Sequence, residues 1–115
     1  MPVRRPERVS GLLLHAIADI VLREVKDPRV SGVTVTAATL SPDLRLARIF
    51  VRTLQDETRA EALAGLQSAA GYIRRQVAAR LQLRYTPTLE FLYDTTLDEV
   101  NHLENLFHQI KQEDR

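Results

Sequence analysis

Four arginines follow a glycine in a stretch that otherwise has the composition of a helix. The stretch reads AAGYIRRQVAARLQLR, and its arginines are Arg74, Arg75, Arg80 and Arg84. A guanidinium group binds phosphate oxygens through a planar pair of hydrogen bonds. No aspartate or glutamate occurs between Glu61 and Glu90, so no acid one helical turn away neutralises these charges. The pattern predicts a phosphate-binding surface, and the alternative is a charged helix face that is merely solvated.

Gly71 stands inside this helix, although glycine costs roughly 1 kcal/mol relative to alanine in a helix interior. One explanation is that a neighbouring element packs closely against it. The other is a kink that divides the helix in two, because the new N-terminus would expose N–H groups that attract phosphate. If Ile73 and Val77 face the core, Arg75 lies nearly opposite them. We therefore predict a kink, with Arg75 on the exposed side.

A second group of basic residues surrounds the first predicted helix. Asp27 and Pro28 indicate a helix stop, with the aspartate as a local hydrogen-bond acceptor. A functional interpretation adds Lys26 and Arg29 to the basic surface. Arg5 and Arg8, at the other end of that helix, join them only if the fold brings the two ends together.

The charge of the chain is unevenly distributed. Residues 1–85 contain 14 Lys and Arg against 8 Asp and Glu, whereas residues 86–115 contain 2 against 7. A basic body followed by an acidic last helix suggests one face that binds a polyanion and another turned away from it. Because 14 of the 16 cationic residues are arginine, arginine-rich codon usage is an alternative explanation of the composition.

The sequence offers no constellation for catalysis, a metal or a cofactor. It contains no GxxxxGK[ST], GxSxG or HExxH motif, and its three histidines are not spaced to share a ligand site. There is no cysteine, which fits a reducing cytoplasm. No stretch approaches the roughly 18 apolar residues of a membrane helix. We therefore expect a cytoplasmic, non-enzymatic protein with no membrane contact.

Hydrophobic periodicity predicts the elements that position these residues. The spacing of apolar residues predicts helices over 7–25 and 57–83 and a last helix from Thr95, whose apolar stripe is Leu97, Val100, Leu103, Phe107 and Ile110. Alternation predicts strands in GVTVTAATL, LARIFVRTL and LEFLYD. In the first strand, Val33, Val35 and Ala37 are expected on one face; in the second, Ala47, Ile49 and Val51 are.

The turn sequence SPDLR between the first two strands predicts an antiparallel hairpin. The helical segment before the third strand allows a crossover and a parallel placement. The predicted order is α-β-β-α-(kink)-α-β-α, an α+β fold whose three-stranded sheet is covered by helices on one face. The 115 residues are expected to form one domain, and the lack of a heptad seam favours a monomer.

These pieces together resemble the ribosome-binding factor A family over nearly the whole chain. The stretches that carry the resemblance are RPERV, KDPRV, VTVTAATLSPDL, ARIFV and AAGYIRRQVAARLQLRYTPTLEFLYD, in that order and spacing. The resemblance implies a type II KH-like fold, in which an Ala-x-Gly kink replaces the Gly-x-x-Gly loop that clamps nucleic-acid backbone in typical KH domains. That motif falls on Ala69, Ala70 and Gly71.

The resemblance also implies a function and its partners. Members of the family bind the free 30S small ribosomal subunit, assist late processing of 16S rRNA and support growth in the cold. The residues expected to contact RNA here are Ala69, Gly71, Arg74, Arg75, Arg80, Arg84, Lys26, Arg29, Arg5 and Arg8. An alternative function is a protein–protein adaptor that uses the acidic last helix and the exposed sheet face on a KH-like scaffold.

Overall fold

The computed structural model describes residues 5–113 and the side chains of residues 8–110. It contains three helices and three strands, with short 3₁₀ turns at Pro28–Val30 and Asp56–Thr58. In chain order the helices and strands are α1 (Arg5–Arg23), β1 (Thr34–Leu40), β2 (Leu46–Arg52), α2 (Arg59–Leu81), β3 (Thr88–Tyr93) and α3 (Thr96–Glu113).

The sheet has the order β1-β2-β3, and its pairings are those predicted. β1 and β2 form an antiparallel hairpin across the SPDLR turn, and β3 runs parallel to β2 after the α2 crossover. α1 packs against β1, and α2 packs against β3 and α1. The predicted α+β fold, with a three-stranded sheet covered by helices on one face, is confirmed.

The core lies between the sheet and the two packed helices. Strand β2 alternates as predicted, with Ala47, Ile49 and Val51 fully buried. Burial of these side chains removes apolar surface from water, which is the main favourable contribution to folding. The matching side chains on the helices are Leu13, Ile17 and Ile20 of α1 and Leu66, Ile73 and Val77 of α2.

The prediction for the faces of β1 is only partly correct, because a β-bulge lies between Val35 and Ala37. A bulge places one extra residue in a strand and so reverses which side chains point to the core beyond it. As a result Val35 packs on the core, but beyond the bulge Ala38 and Leu40 do so in place of Ala37. Simple alternation in the sequence contains no signal for this reversal.

The predicted division of the second helical segment at Gly71 is wrong, because α2 is one helix from Arg59 to Leu81. The residues around Gly71 are rich in alanine, which has the highest helix propensity. The burial of Ile73 and Val77 also fixes the helix against the sheet beyond the glycine. These contributions offset the roughly 1 kcal/mol that one interior glycine costs. No second helix N-terminus is therefore formed at this position.

Helix α3 has the predicted apolar stripe, but the stripe is exposed. Leu97, Val100, Leu103, Phe107 and Ile110 are between 43% and 67% exposed. Within the described residues, α3 makes no extensive contact with the sheet or with the other helices. The cover on the sheet thus comes from α1 and α2. None of the helices in the described part of the chain is long and apolar enough to cross a membrane.

Candidate nucleic-acid interface

The end of α2 and the start of β3 carry a cluster of exposed arginines. We call Arg45, Arg74, Arg75 and Arg84 the basic patch; all four side chains belong to exposed residues. They line two adjoining depressions that share Arg74, Tyr85 and Thr86. Among the described residues, none of the four arginines forms an ion pair with a carboxylate. Their charge is therefore available to a polyanion.

The link between α2 and β3 is held by Arg74. Helix α2 ends at Leu81. The next residue, Gln82, caps it with a left-handed backbone (φ of 51°), and its N–H donates to the Ala78 carbonyl at 3.2 Å. The Arg74 Nε donates to the Pro87 carbonyl at 3.1 Å, and its Nη2 donates to the Thr86 carbonyl at 2.8 Å. Arg74 thus has a structural role that the sequence did not reveal, while its charge stays at the surface.

Arg75 extends back along α2 over Gly71. A Cβ added to Gly71 would lie 3.5 Å from Arg75 Nη1, and among the described residues it would meet no other element. Close packing of a neighbouring element therefore does not explain this glycine. Ala69, the other small residue of the motif, is half-buried and packs against the core. Gly71 leaves the exposed face of α2 open beside the Arg75 guanidinium.

The Arg80 guanidinium is not available to a polyanion, because two carboxylates pair with it. Its Nη1 donates to Asp19 Oδ2 at 2.8 Å, and its Nη2 donates to Glu24 Oε2. The hydrogen bond from Arg80 is the main reason that the pKa of Asp19 lies below its usual value. Both acids come from α1 or the residue after it, so the absence of acids near Arg80 in the sequence did not exclude partners from another part of the chain. The sequence correctly indicated that no acid one helical turn away neutralises Arg80, but the inference that its charge stays available to phosphate is wrong, because two acids from α1 and its end pair with it.

Arg29 forms a two-pronged ion pair with Asp27, through Nε at 3.1 Å and Nη2 at 2.7 Å. Asp27 also accepts from the Arg29 N–H at 2.9 Å and caps the 3₁₀ turn, as the helix-stop interpretation predicted. These bonds lower the pKa of Asp27. Arg29 Nη2 lies 3.5 Å from Ser68 Oγ, which shares one face of α2 with Gly71. Arg29 is thus near the patch but partly neutralised.

The two ends of α1 lie at different places relative to the basic patch. Val9 lines a cavity together with Arg84, so the N-terminal end of α1 and the exposed Arg8 are close to the patch. Lys26 follows the other end of α1, which is 19 residues or about 28 Å long. The structure therefore does not bring Lys26 to Arg8. The side chain of Arg5 lies outside the described residues.

Two members of the site were not singled out from the sequence. The sequence does not assign Arg45 to a binding surface, because a solvated strand face also accepts arginine. Its carbonyl accepts from the Thr88 N–H at 2.8 Å, and this pairing places Arg45 beside the start of β3. Tyr85 was overlooked, although its side chain is 70% exposed in the α2–β3 link. An aromatic residue between a helix stop and a proline was the available signal.

Arg52 and Arg59 have a separate role near the C-terminal ends of β2 and β3, whereas Arg45 lies near the N-terminal ends of these strands. The guanidinium of Arg59 lies 3.8 Å from the centre of the Tyr93 ring, and that of Arg52 lies 5.2 Å from it. Both approach Asp98 in the first turn of α3, Arg52 at 3.7 Å and Arg59 at 3.6 Å. These contacts join the start of α3 to the sheet, so the two arginines are not part of the basic patch.

The comparisons with known proteins agree on one family. The family described as "Ribosome-binding factor A" matches residues 5–107. A ribosome-binding factor A from Thermodesulfovibrio yellowstonii is 39% identical over 111 residues, which cover 96% of this chain and 94% of that protein.

Two structures of relatives are similar in fold. The crystal structure of ribosome-binding factor A from Thermus thermophilus has a TM-score of 0.70 at 29% identity, covering 78% of this chain and 97% of the other. A homology model of the Thermus thermophilus factor, fitted into the cryo-EM map of its complex with the 30S subunit, has a TM-score of 0.63 at 30% identity and covers 74% and 90% of the two chains. The present chain therefore belongs to the ribosome-binding factor A family.

Proposed function

We propose that this protein binds the free 30S ribosomal subunit through its 16S rRNA and assists late maturation and processing of that rRNA without catalysing a reaction. The observation that carries the proposal is the basic patch, whose four exposed arginines form no ion pair with a carboxylate among the described residues. Family membership and the 30S complex of the Thermus thermophilus relative support the choice of partner.

The mechanism follows from the kind of contacts that the patch offers. Exposed guanidinium groups bind the phosphate backbone, which positions a protein on RNA without reading its sequence. A protein that binds one rRNA conformation more tightly than the others increases its population. Tighter binding to the precursor than to the finished subunit would then release the protein once maturation is complete. In this proposal the protein acts in the cytoplasm as a monomer and is most important in the cold.

Co-sedimentation with separated ribosomal subunits tests this function. We expect the wild-type protein to sediment with free small subunits and not with large subunits. The logarithm of its affinity should fall linearly with the logarithm of salt concentration, by roughly 0.7 for each phosphate contact on a single strand. Four contacts correspond to a slope of about −3. Binding that is equally strong at low and moderate salt would contradict the mechanism.

A second candidate function is a protein–protein contact through α3. The specific observation that favours it is the exposed apolar stripe of α3, since contiguous exposed apolar surface commonly marks an interaction site. The helix also carries Asp98, Glu99 and Glu104, which would repel RNA but attract a basic protein. In this alternative the KH-like body is a scaffold and α3 makes the contact.

The two candidates predict different results for the double substitution Leu103→Ser and Phe107→Ser. Both side chains are more than half exposed, so the fold should be retained. If RNA contact through the basic patch dominates, as we expect, the variant co-sediments with small subunits as the wild-type protein does. Loss of co-sedimentation, with the circular dichroism spectrum unchanged and a Gln109→Ser control at an exposed, uncharged position of α3 still bound, would favour the adaptor function.

A further inference from the structure

Tyr85 is the most exposed of the three tyrosines, and it differs from the other two in its hydroxyl group. The Tyr72 hydroxyl donates to Glu24, and the Tyr93 hydroxyl donates to Asp56. The Tyr85 hydroxyl has no hydrogen-bond partner among the described residues, and its side chain is 70% exposed. The guanidinium of Arg84 lies 5.5 Å from its ring centre. An exposed aromatic ring beside an arginine is the arrangement on which nucleic-acid bases stack.

An apolar cavity of about 240 Å³ lies next to this ring. Drug-sized molecules occupy pockets of roughly 300–1,000 Å³, so this cavity suits a smaller group. Arg84, Tyr85 and Asp43 contribute to its lining. Its apolar walls are Val9, Leu40, Leu44, Leu83 and Pro87.

Asp43 supplies the polar group of the cavity. Its Oδ1 accepts from Ser41 Oγ at 2.6 Å and from the Arg45 N–H at 3.1 Å. The hydrogen bond from Ser41 contributes most to lowering the pKa of Asp43. The Asp43 carboxylate is therefore ionised at neutral pH. Among the described residues, no other side chain donates a hydrogen bond to its Oδ2, although the nearby Arg45 charge attracts the carboxylate. A carboxylate with a free oxygen can accept hydrogen bonds but cannot donate them.

Two strained backbone positions adjoin the cavity. Leu44, in its wall, has a φ of 64°, and Gln82, which precedes the wall residue Leu83, has a φ of 51°. Such angles are unfavourable for residues other than glycine, and each costs on the order of 1–3 kcal/mol. The Gln82 angle ends α2, and the Leu44 angle belongs to the hairpin turn, so both angles follow from the backbone that forms the cavity wall.

We propose that this cavity binds one unpaired guanine of an RNA strand whose phosphates lie along the basic patch. The inference rests on the proposed function and adds a base to the backbone contacts. Tyr85 stacks on the base, while Asp43 accepts from its Watson–Crick edge. Guanine is the RNA base with two adjacent donors on that edge, N1–H and the N2 amino group, and therefore matches a carboxylate. Arg75 and Arg84 attract the flanking phosphates, so the ligand is a strand and not a free base.

Fluorescence anisotropy with labelled seven-nucleotide RNAs tests the inference. The probes are A₃GA₃, A₇ and A₃IA₃, where inosine lacks the N2 amino group. Stacking of one base contributes about 1–3 kcal/mol, so Tyr85→Ala should weaken binding of A₃GA₃ at least about 5-fold. Tyr85→Phe, which keeps the ring, should stay within about 2-fold of the wild-type protein. Tyr72→Ala is the matched control and should bind A₃GA₃ as the wild-type protein does.

Asp43→Asn tests the contact with the base edge. The wild-type protein should prefer A₃GA₃ over A₃IA₃ and A₇, and this variant should bind all three alike while retaining its affinity for A₇. If Asp43→Asn weakens binding of all three RNAs equally, Asp43 acts through the turn and not through the base edge, which overturns the inference. Unchanged guanine preference in Asp43→Asn, or wild-type affinity in Tyr85→Ala, overturns it as well. The wild-type co-sedimentation with small subunits is scored separately, so failure of the proposed function is distinguishable from failure of this base site.

Discussion

Replacing Arg75 and Arg84 together by glutamine is expected to weaken binding to free small ribosomal subunits by about 30-fold. At an exposed surface each charged contact contributes about 1 kcal/mol, and two contacts give about 2 kcal/mol. The slope of log affinity against log salt should become shallower by roughly 1.4, because two phosphate contacts are lost. Co-sedimentation over a range of salt concentrations measures both quantities.

Arg75 and Arg84 are the informative pair because neither is needed for the fold. Arg74 holds the α2–β3 link through two carbonyl groups, and Arg80 is paired with Asp19 and Glu24, so their substitution would mix stability with binding. The matched control is the double variant Arg23→Gln and Arg48→Gln. It removes the same charge from side chains that are 72% and 57% exposed elsewhere on the surface.

If the control weakens binding as much as the test variant does, the attraction depends on total charge and the basic patch is not the interface. Equal affinity of the test variant and the wild-type protein would also contradict the assignment. Circular dichroism on both variants checks that the fold is unchanged.

Alanine at the two glycines of α2 is expected to change stability in opposite directions. At Gly71 the new Cβ meets only the flexible end of Arg75, so Gly71→Ala should raise the free energy of unfolding by up to about 1 kcal/mol. At Gly65 the new Cβ would lie 2.8 Å from Val30 Cγ2 and 3.1 Å from Arg29 Cβ. Overpacking of this kind costs typically about 1–3 kcal/mol, which exceeds the gain in helix propensity.

Thermal unfolding followed by circular dichroism measures the difference. For a domain of this size, 1 kcal/mol corresponds to a shift of about 4 °C, so an overpacking cost of about 1–3 kcal/mol should separate the two variants by roughly 4–12 °C. The same glycine-to-alanine change serves as an internal control, because only the surroundings differ. A stabilised Gly65→Ala variant would show that Val30 moves aside freely, and a destabilised Gly71→Ala variant would show a strain at that position that the continuous helix does not explain.

The Gly71→Ala variant also separates two roles of this glycine. If small-subunit binding requires α2 to bend there, the variant should be more stable and yet bind less tightly. If the glycine only leaves space beside Arg75, the variant should bind within about 2-fold of the wild-type protein. The continuous helix favours the second result.

The sequence was sufficient to predict most of the fold, because local periodicity determines which side chains are buried. The alternation of Ala47, Ile49 and Val51 predicted the face of β2 that the structure buries, and the spacing of Ile73 and Val77 predicted the buried side of α2. The turn residues Ser41, Pro42 and Asp43 predicted the hairpin. In each case the signal lies within a few residues, because the geometry of a helix or strand fixes the direction in which each successive side chain points.

Properties that depend on distant residues could not be predicted in this way. The neutralisation of Arg80 requires acids that precede it by 61 and 56 residues, and the bulge in β1 depends on pairing with β2. The exposure of the α3 stripe likewise depends on how the helix is placed after β3, since an amphipathic sequence does not specify which surface covers it.

Which residues form the candidate site also depends on contacts between distant parts of the chain. The sequence by itself determined the elements, their order and the presence of excess arginine before α3. Only the tertiary structure decided which arginines stay available, because an ion pair or a carbonyl partner forms between groups that folding brings within a few ångströms. It removed Arg80, assigned Arg74 to the α2–β3 link, and brought Arg45 from the hairpin to the depressions that contain Arg84 and Tyr85.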